Sequence, residues 1–260
     1  VSAPYGQWHG TGENPGLVPS LAELTELVQS LGLTPETHAV IVYAGIDATD
    51  FGGAARAYWT LKSLGVQEIS ILNGGLAAWV QEGYAPSNEP ATVPCSSWTP
   101  SFNPEWMATR EQVLAELDQP GVLLVDARPP PFFEGRIAPP QAKARGTLPG
   151  AVNLDSELLF ELGSSELMDH DSLQDEVDTL DAAPDTSITT FCNAGHWSAT
   201  DWFVLSEVLG RPGVRMYPGS MVDWTNASRP LPMINEPDRA EQLRFMVLDW
   251  AHRNLGTAAP

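Results

Sequence analysis

The chain has 260 residues, 43% of them hydrophobic, and its 33 acidic and 13 basic side chains give a net charge of −20. So negative a surface disfavours binding to nucleic acid and to anionic membranes, because both are polyanions. No apolar run reaches the ~18 residues that a membrane span requires. We therefore expect a globular protein of one large or two ordinary domains, with neither a nucleic acid nor a membrane as its partner.

The first half of the chain predicts one α/β unit. The run HAVIVYAG (38–45) is typical of a buried strand, and GGAARAYWTLKSLG (52–65) of the helix that follows it. A second strand is predicted in QEISILNGG (67–75) and a short helix in LAAWVQEG (76–83). Strands that alternate with helices favour a parallel sheet.

The second half predicts a longer α/β unit that opens with a helix and a buried strand. Its predicted elements are a helix at 109–117, a strand at 121–129, a long loop to 147–154, a strand at 186–195, a helix at 198–210, a strand at 214–220 and a short helix at 221–228. From the strand at 186–195 onwards, the order of elements is that of the first half.

The two halves also resemble each other in sequence. LKSLG (61–65) corresponds to LSEVLG (205–210), and ILNGGLAAW (71–79) corresponds to MYPGSMVDW (216–224). Self-similarity of this kind indicates a tandem duplication. The predicted fold class is therefore α/β, with two related domains that are each a parallel sheet flanked by helices.

The first half has no counterpart of the opening helix and strand of the second. Its start, VSAPYGQW, aligns with VNLDSELL (152–159). A parallel sheet without an inner strand has an unpaired edge, so we expect about 30–45 upstream residues, or a partner chain, to complete this domain. The predicted division is a truncated N-terminal domain at 1–88, a linker at 89–105, a C-terminal catalytic domain at 106–234 and a terminal helix with tail at 235–260.

The two cysteines lie in different settings. Cys95 lies in the proline-rich linker, where we expect an inert thiol, and a bridge to Cys192 is the weaker alternative. Two cysteines do not form a disulfide framework, so they leave the compartment open. The acidic composition slightly favours an exported bacterial protein over a cytoplasmic one.

Cys192 ends the predicted strand TSITTFC and precedes a helix that is expected to start near Ser198. Backbone N–H groups at a helix start point outward, and the helix dipole is positive there, so both favour a thiolate. Gly195 allows the tight turn that aims several amides at one point. A buried structural cysteine is the alternative, but a strand end beside Asn193 and Gly195 favours catalysis.

Four features together resemble the rhodanese superfamily of sulfurtransferases. They are the tandem halves, the segment LVDARPPPFFEG (124–135), the segment TLPGAVNL (147–154) and a six-residue loop, CNAGHW, that starts with Cys192. The resemblance covers the chain from its start to about Pro232. It implies the two-domain fold of this superfamily, with the active site in the second half.

What the resemblance implies is ping-pong sulfur transfer through a persulfide on Cys192. The persulfide would be cradled by the loop residues Asn193, Ala194, Gly195, His196, Trp197 and Ser198. The first half would be catalytically silent, because Ala44 stands where the second half has its cysteine. Related phosphatases have an arginine at the position of Ser198, so phosphatase chemistry is disfavoured.

The donor is left open between thiosulfate and 3-mercaptopyruvate, with a thiol or cyanide as acceptor. Arg128 follows the strand VLLVDA, and its match in the mercaptopyruvate enzymes binds the substrate carboxylate. An ion pair of Arg128 with Asp126 or Glu134 is the alternative. His196 could supply a proton or be an idle surface imidazole. Trp197 could wall off the pocket or belong to the core.

Four further residues are candidates for binding an anionic donor. Arg136 and Arg145 lie in the loop after Arg128, and Trp8 with His9 lies in a loop whose family counterpart approaches the active cysteine. We expect no metal and no cofactor, since the histidines show no paired ligand spacing and no phosphate or dinucleotide motif is present. A non-catalytic sulfur carrier or redox sensor that acts with a partner protein is the competing hypothesis.

Overall fold

The computed structural model of the chain describes residues 1–10, 12–87, 89, 91–238, 240–245 and 247. Its first half contains, in chain order, α1 (Leu21–Ser30), β1 (Ala39–Ile41), α2 (Ala48–Leu64), β2 (Ile69–Ile71) and α3 (Gly75–Gln81). The two strands form a parallel sheet. The predicted order of strand, helix, strand and short helix over 38–83 is confirmed.

Helix α1 is an element that the sequence analysis did not predict. The Ser20 hydroxyl accepts from the Glu23 backbone N–H, and the Glu23 carboxylate accepts from the Ser20 N–H at 2.8 Å, so the helix begins with a capping box. Leu24, Leu27 and Val28 form its buried face. This face belongs to a core that covers the first sheet.

The second half is built around a four-stranded parallel sheet. Its elements are α4 (Arg110–Glu116), β3 (Val122–Asp126), α5 (Pro130–Phe133), β4 (Val152–Asn153), α6 (His170–Asp178), β5 (Ser187–Phe191), α7 (Trp197–Phe203), β6 (Val214–Met216) and α8 (Ser220–Thr225). The strand order is β4-β3-β5-β6, so β5 has a neighbour on each side. The α/β class with parallel sheets flanked by helices is confirmed.

The register of the second sheet places the candidate nucleophile beside the loop that follows β3. Asp126, the last residue of β3, is paired with Phe191, the last residue of β5. Arg128 and Cys192, which follow those strands, therefore lie at the same carboxyl edge. This is the edge at which parallel α/β sheets bind their ligands.

The two halves pack on each other through α2 and α7. Phe51 and Trp59 of α2 and Ala199 and Trp202 of α7 are fully buried in one shared core. Phe51 also meets Phe203 edge to face, with 5.6 Å between the ring centroids. The helix that starts just after Cys192 is thus held by the first half.

The helix after Cys192 differs from its prediction in one respect. A single helix was predicted over 198–210, but α7 ends at Phe203 and the chain continues as a π-helical turn over Val204–Val208. There the Leu209 N–H donates to the Val204 carbonyl at 2.9 Å. Such a turn accommodates one extra residue in the helix.

The predicted terminal helix lies only partly within the described residues. Residues 240–245 are helical, and 248–260 lie outside the part that the structure describes. Among the described residues, no helix is long and apolar enough to cross a membrane.

Candidate active site

Cys192 directly follows β5 and is buried, with 1% of its surface exposed. Its sulfur accepts the Gly195 backbone N–H at 3.1 Å and lies 3.5 Å from the Ser198 hydroxyl. The Cys192 N–H donates to the Ser220 hydroxyl at 3.0 Å. The sulfur is therefore fixed between the start of α7 and the start of α8, with a backbone donor aimed at it.

Gly195 has a left-handed backbone conformation with φ of 73°. A Cβ at this position would lie 2.6 Å from the Pro218 carbonyl oxygen and would also collide with the Arg56 guanidinium. A side chain here would thus be strained and blocked from two sides. The turn predicted for Gly195 is present, and of the several amides it was expected to aim at one point, the Gly195 N–H is the one that bonds to the sulfur among the described residues.

His196 joins the loop to the first half of the chain. Its Nε2 lies 2.6 Å from the Thr49 carbonyl, which only accepts, so this nitrogen carries the hydrogen. Its Nδ1 then accepts from the Tyr5 hydroxyl at 2.7 Å. Burial lowers the pKa of His196 and raises the pKa of Tyr5 to about 12, so both groups are neutral near pH 7. His196 is a bridge rather than an idle surface imidazole.

Trp197 also faces the first half and the loop after β3. Its indole N–H donates to the Thr49 hydroxyl at 3.4 Å. Its ring meets Phe132 edge to face at 5.8 Å between centroids. Trp197 is partly exposed, so it covers the loop rather than filling the core.

Arg128 lies beside the cysteine loop but is bound to Asp126. Its Nε and Nη2 donate to the two carboxylate oxygens of Asp126 at 2.8 and 2.6 Å, and both side chains are buried. Nη2 also donates to the Gly146 carbonyl, and Nη1 lies 3.5 Å from the Asn193 amide oxygen. The ion-pair alternative for Arg128 is thus present, and the guanidinium still reaches the cradle through Asn193.

The other two candidate arginines lie further along the same loop. Arg136 is exposed and is paired with Glu134 at 2.7 Å. Arg145 is partly buried and donates to the Arg136 carbonyl. Within the described residues, neither is hydrogen-bonded to the cysteine loop, so their contact with a substrate stays a prediction.

Trp8 and His9 take different positions near the site. The Trp8 side chain is buried in the core of the first half, and only its carbonyl turns towards the loop region, where it accepts from Arg56. The His9 ring packs on Tyr5, with 4.5 Å between centroids. Tyr5 in turn bonds to His196 of the loop, so His9 is linked to the loop through Tyr5.

The corresponding loop of the first half is filled by its own chain. Ala44 follows β1, and the N–H groups of Gly45 and Ile46 donate to the Asp50 carboxylate at 2.8 and 3.3 Å. Asp47 caps α2 by accepting from the Asp50 N–H. Asp47 is exposed, whereas Asp50 is partly buried because its carboxylate accepts from the loop amides.

Two buried charged residues near the sulfur were missed by the sequence analysis. Arg56 on α2 is fully buried, and its Nη1 donates to the Gly195 carbonyl at 3.4 Å. Asp201 on α7 is fully buried, with no hydrogen-bond partner for either oxygen, and burial raises its pKa well above the ordinary value. The signal was available, because each is a lone charge in an apolar helical stretch.

Comparisons with known proteins agree with this geometry. A family model described as the rhodanese-like domain matches residues 109–227. The chain is 33% identical over 215 residues to a thiosulfate sulfurtransferase of Azotobacter vinelandii, covering 82% of this chain and 75% of that protein. It is 29% identical over 212 residues to 3-mercaptopyruvate sulfurtransferase of Escherichia coli K12, covering 81% and 73%.

A solved structure also resembles the chain in its three-dimensional fold. The crystal structure of SseA from Escherichia coli, described under the rhodanese fold and 3-mercaptopyruvate sulfotransferases, superposes with a TM-score of 0.73 at 25% identity. The superposition covers 84% of this chain and 80% of that one. The matched length includes both halves, and the sulfurtransferase relatives extend over most of the chain. The chain therefore belongs to the rhodanese family and is a sulfurtransferase enzyme.

Proposed function

We propose that the chain transfers sulfane sulfur from a small anionic donor, thiosulfate or 3-mercaptopyruvate, to a thiol or cyanide through a persulfide on Cys192. The observation that carries the proposal is the Gly195 N–H, which points at the Cys192 sulfur from 3.1 Å. A fixed backbone donor stabilises negative charge on a thiolate and on the outer sulfur of a persulfide. Because the site is buried, this stabilisation is stronger than it would be in water.

The proposed reaction proceeds in two displacements. The Cys192 thiolate attacks the outer sulfur of thiosulfate, the donor S–S bond breaks, and sulfite leaves with the electron pair. With 3-mercaptopyruvate the C–S bond breaks instead, and the departing enolate takes a proton to become pyruvate. Cyanide or a thiolate then attacks the outer persulfide sulfur, and Cys192 leaves as a thiolate. Together the two displacements transfer one sulfur atom from donor to acceptor, and the second regenerates the Cys192 thiolate.

We place the chemistry in the second half alone, in the proposed catalytic domain 106–234. The first half (1–88) has Ala44 after β1, and an alanine cannot carry sulfur. Its loop amides are bonded to Asp50 and are not available to an outside anion. The first half instead supports the cradle, since Tyr5 and Thr49 bond to His196.

Recognition of the donor is proposed to come from side chains around the cradle. Asn193 and Ala194 carry no charge, so an anionic donor depends on cations outside the six-residue loop. Arg128 is nearest, although Asp126 neutralises most of its charge. Arg136 and Arg145 are the proposed cations further along the loop. Trp8 and His9 are proposed to close the cleft from the first half.

The test is the formation of thiocyanate from cyanide with each donor in turn. The wild-type chain should form it, Cys192→Ser should abolish it, and Cys95→Ser, which changes an exposed thiol in the linker, should not affect it. The donor that supports turnover identifies the substrate. If neither donor gives thiocyanate, the proposal fails as stated. One extra sulfur atom on Cys192 without turnover would instead favour the sulfur-carrier function.

We also propose that a further strand pairs with β1. In the second sheet β5 lies between β3 and β6, whereas in the described residues β1 pairs with β2 alone. Val40 and Val42 at this open edge are 56% and 52% exposed. The proposed occupant is a strand of the same polypeptide upstream of residue 1, with a partner chain as the alternative outcome.

A further inference from the structure

Helix α2 of the first half buries an arginine that no acidic side chain neutralises. Arg56 is 0% exposed, and no Asp or Glu of the described residues forms an ion pair with it. Its guanidinium donates to the carbonyls of Trp8 at 3.2 Å, Gly16 at 3.0 Å and Gly195 at 3.4 Å. Burial of a charge is strongly unfavourable unless an opposite charge compensates it, so this position requires an anion nearby.

The group that can supply this anion is the Cys192 sulfur. Gly195 connects the two, because its N–H donates to Sγ while its carbonyl accepts from Arg56. Burial lowers the pKa of Arg56 to about 10, and interaction with Tyr5 and Cys192 acts in the opposite direction. The guanidinium is therefore charged at neutral pH.

Arg56 also holds the segment that supports the back of the cradle. Its Nη2 donates to the Gly16 carbonyl, and Gly16 lies so close to Ala194 that a Cβ on the glycine would be 2.9 Å from the Ala194 Cα. One guanidinium thus bonds to both sides of this contact, at Gly16 and at Gly195. The arrangement places a first-half cation directly behind the catalytic loop.

The other titratable groups around the sulfur are neutral, paired or displaced towards the neutral form. Arg128 has its charge balanced by Asp126 at 2.6 Å. Burial raises the pKa of Tyr5, Asp155 and Asp201 and lowers the pKa of His196. Among the described groups that face Cys192, Arg56 is left as the unpaired positive charge.

We infer that Arg56 is a positioning residue of the sulfur-transfer site, which supplies from the silent half the positive charge that the loop CNAGHW lacks. It fixes Gly195 by donating to its carbonyl while the Gly195 N–H donates to the sulfur, and it stabilises the negative charge on Cys192. The persulfide part of this role rests on the proposed function, whereas the thiolate part does not. Arg56 acts through Gly195 and through its field, without contact to the donor.

The test compares variants that separate the charge of Arg56 from its hydrogen bonds. Arg56→Lys keeps the charge and loses the forked geometry, whereas Arg56→Gln keeps donors to carbonyls and loses the charge. Arg56→Met is a second variant without charge, in case the glutamine variant does not fold. For each folded variant, alkylation of Cys192 by iodoacetamide is measured against pH with peptide mass spectrometry. Cys95, exposed in the linker, is alkylated in the same sample and serves as the internal control.

The expected result is a shift of the Cys192 alkylation midpoint by about one pH unit upward in Arg56→Gln or Arg56→Met, and a smaller shift in Arg56→Lys. The Cys95 midpoint should stay where it is in the wild type. A Cys192 midpoint that is unchanged without the charge, or that moves equally in the lysine and glutamine variants, overturns the inference. Alkylation needs no sulfur donor, so this result is independent of whether thiocyanate forms.

Discussion

The Asp201 carboxyl lies on the second turn of α7 with neither oxygen hydrogen-bonded, in a position with no exposed surface. Arg56, equally buried, has its donors satisfied by carbonyl groups. Burial therefore affects the charge of the two residues differently. Arg56 stays charged because its hydrogen bonds are satisfied and because it faces a potential anion. Asp201 takes up a proton, because an ionised carboxylate without donors is far less stable in a buried site.

This difference predicts how Asp201 affects stability with pH. The pKa of Asp201 is raised above 3.8 in the folded state, so its contribution is most favourable at low pH and is lost as pH rises from about 4 towards the folded-state value. Asp201→Asn removes this dependence, and each pH unit in that window is worth about 1.4 kcal/mol. We expect the free energy of unfolding of the variant to rise relative to that of the wild type as the pH increases from about 4.5 to about 7. Urea unfolding at several pH values measures it, and a constant difference would contradict it.

At this scale the sequence alone predicts Cys192 as the nucleophile but does not predict its surroundings. Cys192 could be predicted because a cysteine between a strand end and a helix start lies where a thiolate is stabilised and where ligands bind. Arg56 and Asp201 stand out in the sequence as lone charges in apolar helical stretches, but their roles depend on packing between residues far apart in the chain, such as Arg56 with Gly195. Arg128 could be placed at the right edge of the sheet, but its pairing with Asp126 required the side-chain geometry.

At the scale of the elements, prediction from the sequence succeeded for most strands and helices and failed for a few. Most strands and helices were predictable, because their apolar periodicity is clear and is repeated in both halves. Helix α1 and helix α6 lie in corresponding places before β1 and β5, and neither was predicted. The π-helical turn at Val204–Val208 was also not predictable, because a helical pattern does not show where a ladder of hydrogen bonds changes its spacing.

The open edge of β1 leads to a prediction at this scale. If the proposed strand precedes residue 1, a longer chain that contains it should protect the N–H groups of Val40 and Val42 from hydrogen exchange, because the added strand would bond to them. The amide of Ala39, which already donates to the Glu68 carbonyl, is the control and should change little. Exchange of Val40 and Val42 that is equally fast in both chains would contradict the proposed strand. Protection that depends on protein concentration would indicate a partner chain instead.

On the scale of the whole molecule, the two halves form one site through a shared core and a few polar bridges. The α2 and α7 helices supply the core, and the bridges include Tyr58 with Glu207 and Tyr43 with Ser165. The tandem duplication could be predicted from the sequence. The way in which the first half supports the cysteine loop could not, because it depends on contacts made by Tyr5 and Arg56 across the interface.

Tyr43 forms one of these polar bridges, and its contribution to the free energy of unfolding can be measured. Its buried hydroxyl donates to the Ser165 carbonyl at 2.7 Å and accepts the Gly74 N–H at 2.8 Å. Tyr43→Phe leaves both groups without this partner, and we expect the free energy of unfolding to fall by about 1–3 kcal/mol. Chemical unfolding measures the loss. The exposed Tyr84, changed to Phe, is the matched control, and equal stability of the two variants would contradict the prediction.

The Asp50 carboxylate gives the loop of the first half a ligand from its own chain. Asp50 lies six residues after Ala44, and Ser198 lies six residues after Cys192, so the two occupy corresponding positions. In the first-half loop this position supplies a carboxylate that accepts from the loop amides, whereas in the second-half loop it supplies a hydroxyl that lies 3.5 Å from the Cys192 sulfur. The first-half loop thus resembles a binding site whose ligand is covalently attached to the chain. A carboxylate attached to the chain cannot diffuse away, so the first-half loop keeps these hydrogen bonds without an exchangeable ligand.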